Sequence, residues 1–195
     1  FIAHSGGRLL NMVNDILDLS RIESGEYPLA DDVIDIEEAV RSSWRRCAIE
    51  PSQRAESRFR IDNRNADCAL LGDERAVSQI LDNLLSNAIK YSDPEDSITV
   101  GWKRLPDGRG RLSVEDTGYG ISAERLEAVT LPFTRGMKLD EPNAYIARVG
   151  EGVGLGLHIV KRLAELHGAE LALTSAEGAG TIIILDFPAE RVVEG

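Results

Sequence analysis

Cysteine is scarce in this sequence: Cys47 and Cys68 are the two among 195 residues, and neither stands in a CxxC spacing. A disulfide-stapled scaffold and a zinc ribbon are both excluded, and two buried thiols in a reducing compartment are expected. Histidine is as sparse, with His4, His158 and His167 scattered along the chain. That scatter offers no metal cluster. No apolar run approaches the roughly 20 residues that span a bilayer, and the N-terminus lacks the basic-then-apolar order of a signal peptide. The chain is therefore expected to be soluble and cytoplasmic, with any membrane anchor belonging to a longer parent. Positive charge is also in deficit: the formal net charge is −11. Such a field repels a nucleic-acid backbone, which tells against DNA or RNA as the partner. The P-loop pattern GxxxxGK[ST] is missing as well, so a Walker-type nucleotide site is excluded.

What is present begins with an amphipathic stretch. Ile2, Leu9, Met12, Ile16 and Leu19 recur in steps of three and four, with Val13 and Leu17 widening the stripe. A seam of period 3.5 predicts a helix over residues 1–24 that packs on a partner helix or on its own domain. Gly25 and Pro28 end it, and 26–34 reads as a linker. The rest, 35–190, predicts a mixed α/β (α+β) domain: a two-layer sandwich with helices on one face of a mixed sheet. Asp35 opens a helix to about Ile49. Arg58–Asp62 and Cys68–Leu71 are strand candidates. Asp73 caps a helix from Glu74 to Tyr91. Ser97–Arg104 and Arg111–Asp116 alternate as strands around the turn Pro106-Asp107-Gly108. Ser122 caps a short helix to about Val129, residues 134–152 read as a long loop, and Val153–His167 as a helix stopped by Gly168. A terminal hairpin pairs Glu170–Ser175 with Thr181–Phe187.

Three segments carry chemistry. On the helix 74–91, Asn83, Asn87 and Tyr91 step by four with Lys90 beside them, at the edge of an apolar face built by Val77, Ile80, Leu81, Leu84, Leu85 and Ala88. Asn is a mediocre helix former. The stripe fits two amides bonded to nearby backbone, or a site where amide oxygen meets a hard cation, Lys meets phosphate and Tyr meets a base. In Glu115-Asp116-Thr117-Gly118-Tyr119-Gly120-Ile121, a carboxylate ends a strand before a glycine turn. It can accept a hydrogen bond from an exocyclic amine while the glycines admit a flat ligand, although glycines also end strands for structural reasons. In Gly150-Glu151-Gly152-Val153-Gly154-Leu155-Gly156-Leu157, four glycines precede a helix, an arrangement suited to phosphate.

Taken in order, Asn-x-x-x-Asn, Asp-x-Gly-x-Gly, Phe133, Gly-x-Gly-x-Gly and Gly178-x-Gly180-Thr181 resemble the nucleotide-binding boxes of histidine kinases, over about residues 70–188. More broadly the chain is similar to the ATPase superfamily that includes gyrase subunits, mismatch-repair ATPases and heat-shock chaperones. Ile16-Leu17-Asp18-Leu19-Ser20-Arg21-Ile22-Glu23-Ser24-Gly25 resembles the end of the second dimerisation helix of histidine kinases. The resemblance implies ATP and Mg²⁺ as ligands, with the γ-phosphoryl group passed to a His on a dimerisation helix. It implies Asn87 at Mg²⁺, Asn83 near the phosphates, Lys90 on phosphate and Tyr91 against the base. Asp116 would take the adenine amine, with Gly118, Gly120 and Ile121 along that wall. Phe133 would anchor a lid over 134–150, and Arg135 would meet the γ-phosphate. The backbone amides of Gly152, Val153, Gly154, Leu155 and Gly156 would face the phosphates, with Leu157 also in the binding segment, and Thr181 would close the pocket. The partners implied are a second copy of the parent, through the N-terminal helix, and a response regulator.

Two departures stand out. Val153 occupies a place where the family usually has a hydroxyl residue. The phosphoacceptor helix is not represented, since no His-Glu-x-x-Thr-Pro-like sequence follows His4. A kinase and a degenerate kinase that scaffolds a partner are both compatible with this pattern.

Overall fold

The computed structural model describes residues 13, 16–48, 58–62, 67–126, 128–131 and 154–195. Among them, the end of the first helix (α1, residues 16–23) closes as the sequence predicts. Gly25 adopts φ 72°, the Gly25 N–H bonds the Ile22 carbonyl and the Glu26 N–H bonds that of Arg21. This paired arrangement satisfies carbonyls that the helix end leaves open. Leu19 and Ile22 are buried in the core of the following domain, whereas Val13, Ile16 and Leu17 are exposed. The Gln79 amide also donates to Asp18 at 3.2 Å. The apolar stripe is thus divided, its last turn packing on the adjoining domain.

Within the stretch read as a linker, Asp32–Ile34 form strand β1, antiparallel to Cys68–Gly72 (β3). At the other end Val192–Glu194 pair with the opposite edge of β3. The span 35–190 therefore leaves out two strands of a three-stranded sheet. Between them, α2 (Ile36–Cys47) is capped by Asp35, whose carboxylate accepts from the Glu37 and Glu38 amides at 2.9 and 3.2 Å. It ends before the expected Ile49, which lies outside the described residues.

The larger sheet has β2 (Phe59–Asp62) parallel to β4 (Ile98–Arg104), followed by antiparallel β5 (Gly110–Asp116), β7 (Gly180–Phe187) and β6 (Glu170–Ala176), in the order β2-β4-β5-β7-β6. It is mixed, as predicted. Its alternating inward residues, Ile98, Val100, Trp102, Leu112, Val114, Leu185 and Phe187, meet the apolar faces of α3 (Glu74–Lys90) and α5 (Gly156–Leu166). On α3, Val77, Ile80, Leu81, Leu84, Leu85 and Ala88 are all buried, at the helical spacing the sequence shows. Each such aliphatic side chain larger than alanine stabilises the fold by about 1.5–3 kcal/mol on burial. The Trp102 indole N–H donates to the Cys68 carbonyl at 2.8 Å and so ties the two sheets together.

Two helices are shorter than expected. The one after Ser122 is helical over Ala123–Leu126 (α4). The last begins at Gly156 rather than Val153, because Gly154 sits at φ 76°, outside the right-handed helical region. Its far end closes at Gly168 (φ 70°), with Gly168 and Ala169 amides bonding the Glu165 and Ala164 carbonyls.

Candidate nucleotide site

Helix α3 is the common neighbour of the glycine segments. At its middle, Asn83 donates from Nδ2 to the Gln79 carbonyl at 2.9 Å, the local backbone bond expected of such an amide. Its Oδ1 packs on the start of α5, where a Cβ added to Gly156 would lie 2.6 Å away. At its C-terminus, Tyr91 caps the helix and its carbonyl accepts from the Tyr119 amide at 3.0 Å. Here a Cβ on Gly118 would stand 2.2 Å from the Tyr91 oxygen, and one on Gly120 would stand 1.9 Å from the Ala176 oxygen. The glycines of this turn are required by the protein's own backbone: one lets β5 run past α3, the other lets it meet the β6–β7 hairpin. That is a stronger reason for glycine than a flat ligand.

Asp116 lies where these contacts converge. It pairs with Thr181 across β5 and β7, and its Oδ1 accepts from the Gly118 amide at 3.0 Å. It is 9% exposed. Burial pushes its carboxyl up to about 6, against the pull of backbone amides at Gly118 and Thr181 and with the help of Asp96 and Glu115. Ser175 fastens the far side: its hydroxyl accepts from the Ile121 amide at 2.8 Å, donates to the Gly180 carbonyl at 2.7 Å and lies 3.0 Å from the Thr181 hydroxyl. Sequence reasoning missed Ser175, since nothing local marks a strand serine as a turn anchor.

The structure thus gathers Tyr91, Asp116, Gly118, Gly120, Ile121 and Thr181 at the end of α3, and sets Asn83 against Gly156 two turns earlier on the same helix. Asn87 and Lys90 lie on α3 between the two contacts, with the Lys90 ammonium 5.1 Å from the Tyr91 ring centroid. The Leu155 side chain is buried in the core and Leu157 packs against that core, which leaves their backbone amides for the expected contact with phosphate. Leu155 is the N-cap of α5 and makes no side-chain cap bond, and the first amides of such a helix start are donors suited to an anion. Phe133, Arg135, Gly152, Val153 and the segment 134–150 lie outside the described residues. His158 bonds the Thr130 carbonyl through Nδ1 at 3.1 Å, and His167 is 1% exposed; both have structural partners.

No helix among the described residues is long and apolar enough to cross a membrane. Residues 72–191 match the family model of histidine kinase-, DNA gyrase B- and HSP90-like ATPases. The chain is 39% identical over 191 residues, 97% of its length, to an uncharacterised sensor-like histidine kinase of Rhizobium meliloti, of which it covers 34%. It is 35% identical over 187 residues to the histidine protein kinase DivJ of Caulobacter vibrioides, covering 96% of this chain and 30% of that protein. Among solved structures, full-length ShkA in complex with AMPPNP superposes with a TM-score of 0.74 at 27% identity, over 95% of this chain and 36% of that one. The chain therefore spans about a third of the length of these relatives. With a family model over residues 72–191, and relatives 39% and 35% identical along nearly all of it, the chain belongs to the histidine kinase-, DNA gyrase B- and HSP90-like ATPases, as a catalytic ATP-binding domain of the sensor histidine kinase type.

Proposed function

We propose that this chain binds ATP between α3, the Asp116 turn and the start of α5, and donates its γ-phosphoryl group to a histidine on a dimerisation helix outside the chain. The observation that carries the reading is Asp116. Its carboxylate sits nine-tenths buried beside backbone amides, at a cost that raises its pKa to about 6. At neutral pH it is ionised and accepts only. An adenine amine supplies a donor that helps offset the buried charge. Tyr91 would lie against the base, Gly118, Gly120 and Ile121 would line the same wall, and Thr181, paired with Asp116 across the sheet, would close it.

The phosphates fall to the open amides of α5 from Gly156 onward, with Gly152, Val153 and Gly154 before them, and to Lys90 and Asn83. Asn87 is the candidate for Mg²⁺. Among the described residues no group of three or more His, Cys, Asp or Glu is placed to hold a metal. An amide oxygen together with nucleotide phosphates suits Mg²⁺, which keeps few protein ligands. When bound, the ion offsets charge on the phosphates. Arg135 is the candidate partner of the γ-phosphate, and Phe133 of the segment that follows it. In the transfer, the bond from the γ-phosphorus to the bridging oxygen breaks, one to an imidazole nitrogen forms, and ADP leaves. Charge stabilisation and positioning are what the protein supplies. In the parent, α1 would pair with a second copy, the phosphoryl group would pass to a response regulator, and the setting would be cytoplasmic.

The test is phosphotransfer in trans. Incubated with labelled ATP and Mg²⁺, the chain alone should stay unlabelled on histidine, whereas a dimerisation helix carrying an acceptor His should become labelled in an acid-labile form. ATP binding without transfer would support the regulatory scaffold. Acid-labile label on His4 would contradict the placement of the acceptor.

A further inference from the structure

Arg58 is 4% exposed, just ahead of β2. Its backbone carbonyl accepts from the Ile98 amide at 2.7 Å, which puts it at the end of β4 that pairs with Asp116. Its Nη2 donates to the Ser92 hydroxyl at 2.6 Å and approaches the Ser92 and Ile89 carbonyls at 3.4 and 3.5 Å. The Ser92 hydroxyl in turn donates to the Ala88 carbonyl. One guanidinium therefore gathers the last carbonyls of α3, where a cation also suits the helix dipole. Ser92 is the residue against which the turn after Asp116 packs: a Cβ on Gly118 would lie 2.7 Å from the Ser92 Cβ.

Capping α3 accounts for only one end of this arginine. Its Nε is buried with no partner among the described residues. Burying a guanidinium this way costs more than burying an apolar chain of equal length. The charges around it explain it better. Its own pKa is lowered by burial and held up by Asp96, Asp93, Glu95 and Asp116. Asp116 meanwhile feels the charges of Asp96 and Glu115. Arg58 is a buried cation set among these carboxylates.

We propose that Arg58 is a positioning residue for adenine recognition, holding the end of α3 against the Asp116 turn through Ser92 and keeping Asp116 available as an acceptor. The inference rests on the proposed role of Asp116. Its test is calorimetric titration of the 195-residue chain with ADP and Mg²⁺ from pH 5 to 8. Arg58→Met should weaken binding about tenfold at neutral pH and move the acid midpoint of binding up by about half a unit. Arg58→Lys keeps a charge and should keep the midpoint. Ser92→Ala removes the anchor alone, and should weaken binding about threefold with the midpoint unchanged. A cooperatively folded Arg58→Met variant with the affinity and midpoint of the unmutated chain overturns the proposal. If that variant does not fold, unaltered affinity in Ser92→Ala overturns it. Failure of the unmutated chain to bind ADP sinks the reading of Asp116 and this inference with it. Binding whose midpoint ignores Arg58 sinks the inference alone.

Discussion

Gly118 lies so close to Tyr91 that a methyl group on it would stand 2.2 Å from the Tyr91 carbonyl oxygen. The turn after Asp116 and the end of α3 are therefore one unit, and its tolerance for volume is nil. Gly118→Ala should destabilise the chain by about 2 kcal/mol or more, since backbone on both sides must give way. Gly178 is the control: it has φ 75° but nothing within 4 Å of an added Cβ. Gly178→Ala should cost only the left-handed strain, about 1 kcal/mol. Urea denaturation of the two variants checks the ranking.

His167 joins two elements distant in sequence. Its Nε2 accepts from the Asp73 amide at 3.1 Å and its Nδ1–H donates to the Leu163 carbonyl at 2.7 Å, so the ring is neutral as placed. Burial lowers its pKa below the ordinary value, outweighing the bond to Leu163. The depressed pKa gives stability that is fully present above the unfolded value of about 6.5 and is lost as pH falls toward the native one. Replacement by Phe should cost about 1–3 kcal/mol at neutral pH, for the amide left unpaired. It should also flatten the acid slope of stability. Melting temperatures from pH 5 to 8 in both proteins check this.

How much of this was legible beforehand depends on the range of each contact. The apolar face of α3, its Asp73 cap and the hairpin around Glu177–Gly180 are written within a few residues, and the structure has them. Strands β1 and Val192–Glu194 are three residues each and exist because they flank β3. No local pattern marks them. In the site, the asparagine stripe and the order of the glycine segments were legible. The reason for Gly118 and Gly120 was not, because the backbones they admit come from α3 and β6. Arg58 and Ser92 escaped for the same cause: their partnership spans 34 residues and has no local signature.

The first helix offers a separable pair. Leu19 is 8% exposed and packs in the domain core, while Leu17 is 52% exposed. Leu19→Ala should lower the stability of the monomer by about 2–3 kcal/mol. Leu17→Ser should leave it within about 0.5 kcal/mol. In a longer parent carrying the whole dimerisation region, the ranking should reverse for self-association, read by sedimentation.

The central claim is that Asp116 receives an adenine nucleotide, and titration calorimetry with ADP and Mg²⁺ tests it most directly. The unmutated chain should bind at neutral pH, and its affinity should decline as pH falls through about 6, where Asp116 takes up a proton and gives up its charge. Asp116→Asn should bind more weakly at neutral pH by about 1.5–3 kcal/mol, because its amide can turn a donor toward a donor. Its affinity should no longer follow that midpoint. An unmutated chain that binds no ADP with or without Mg²⁺, or an Asn variant that binds as well as the original, would contradict the account.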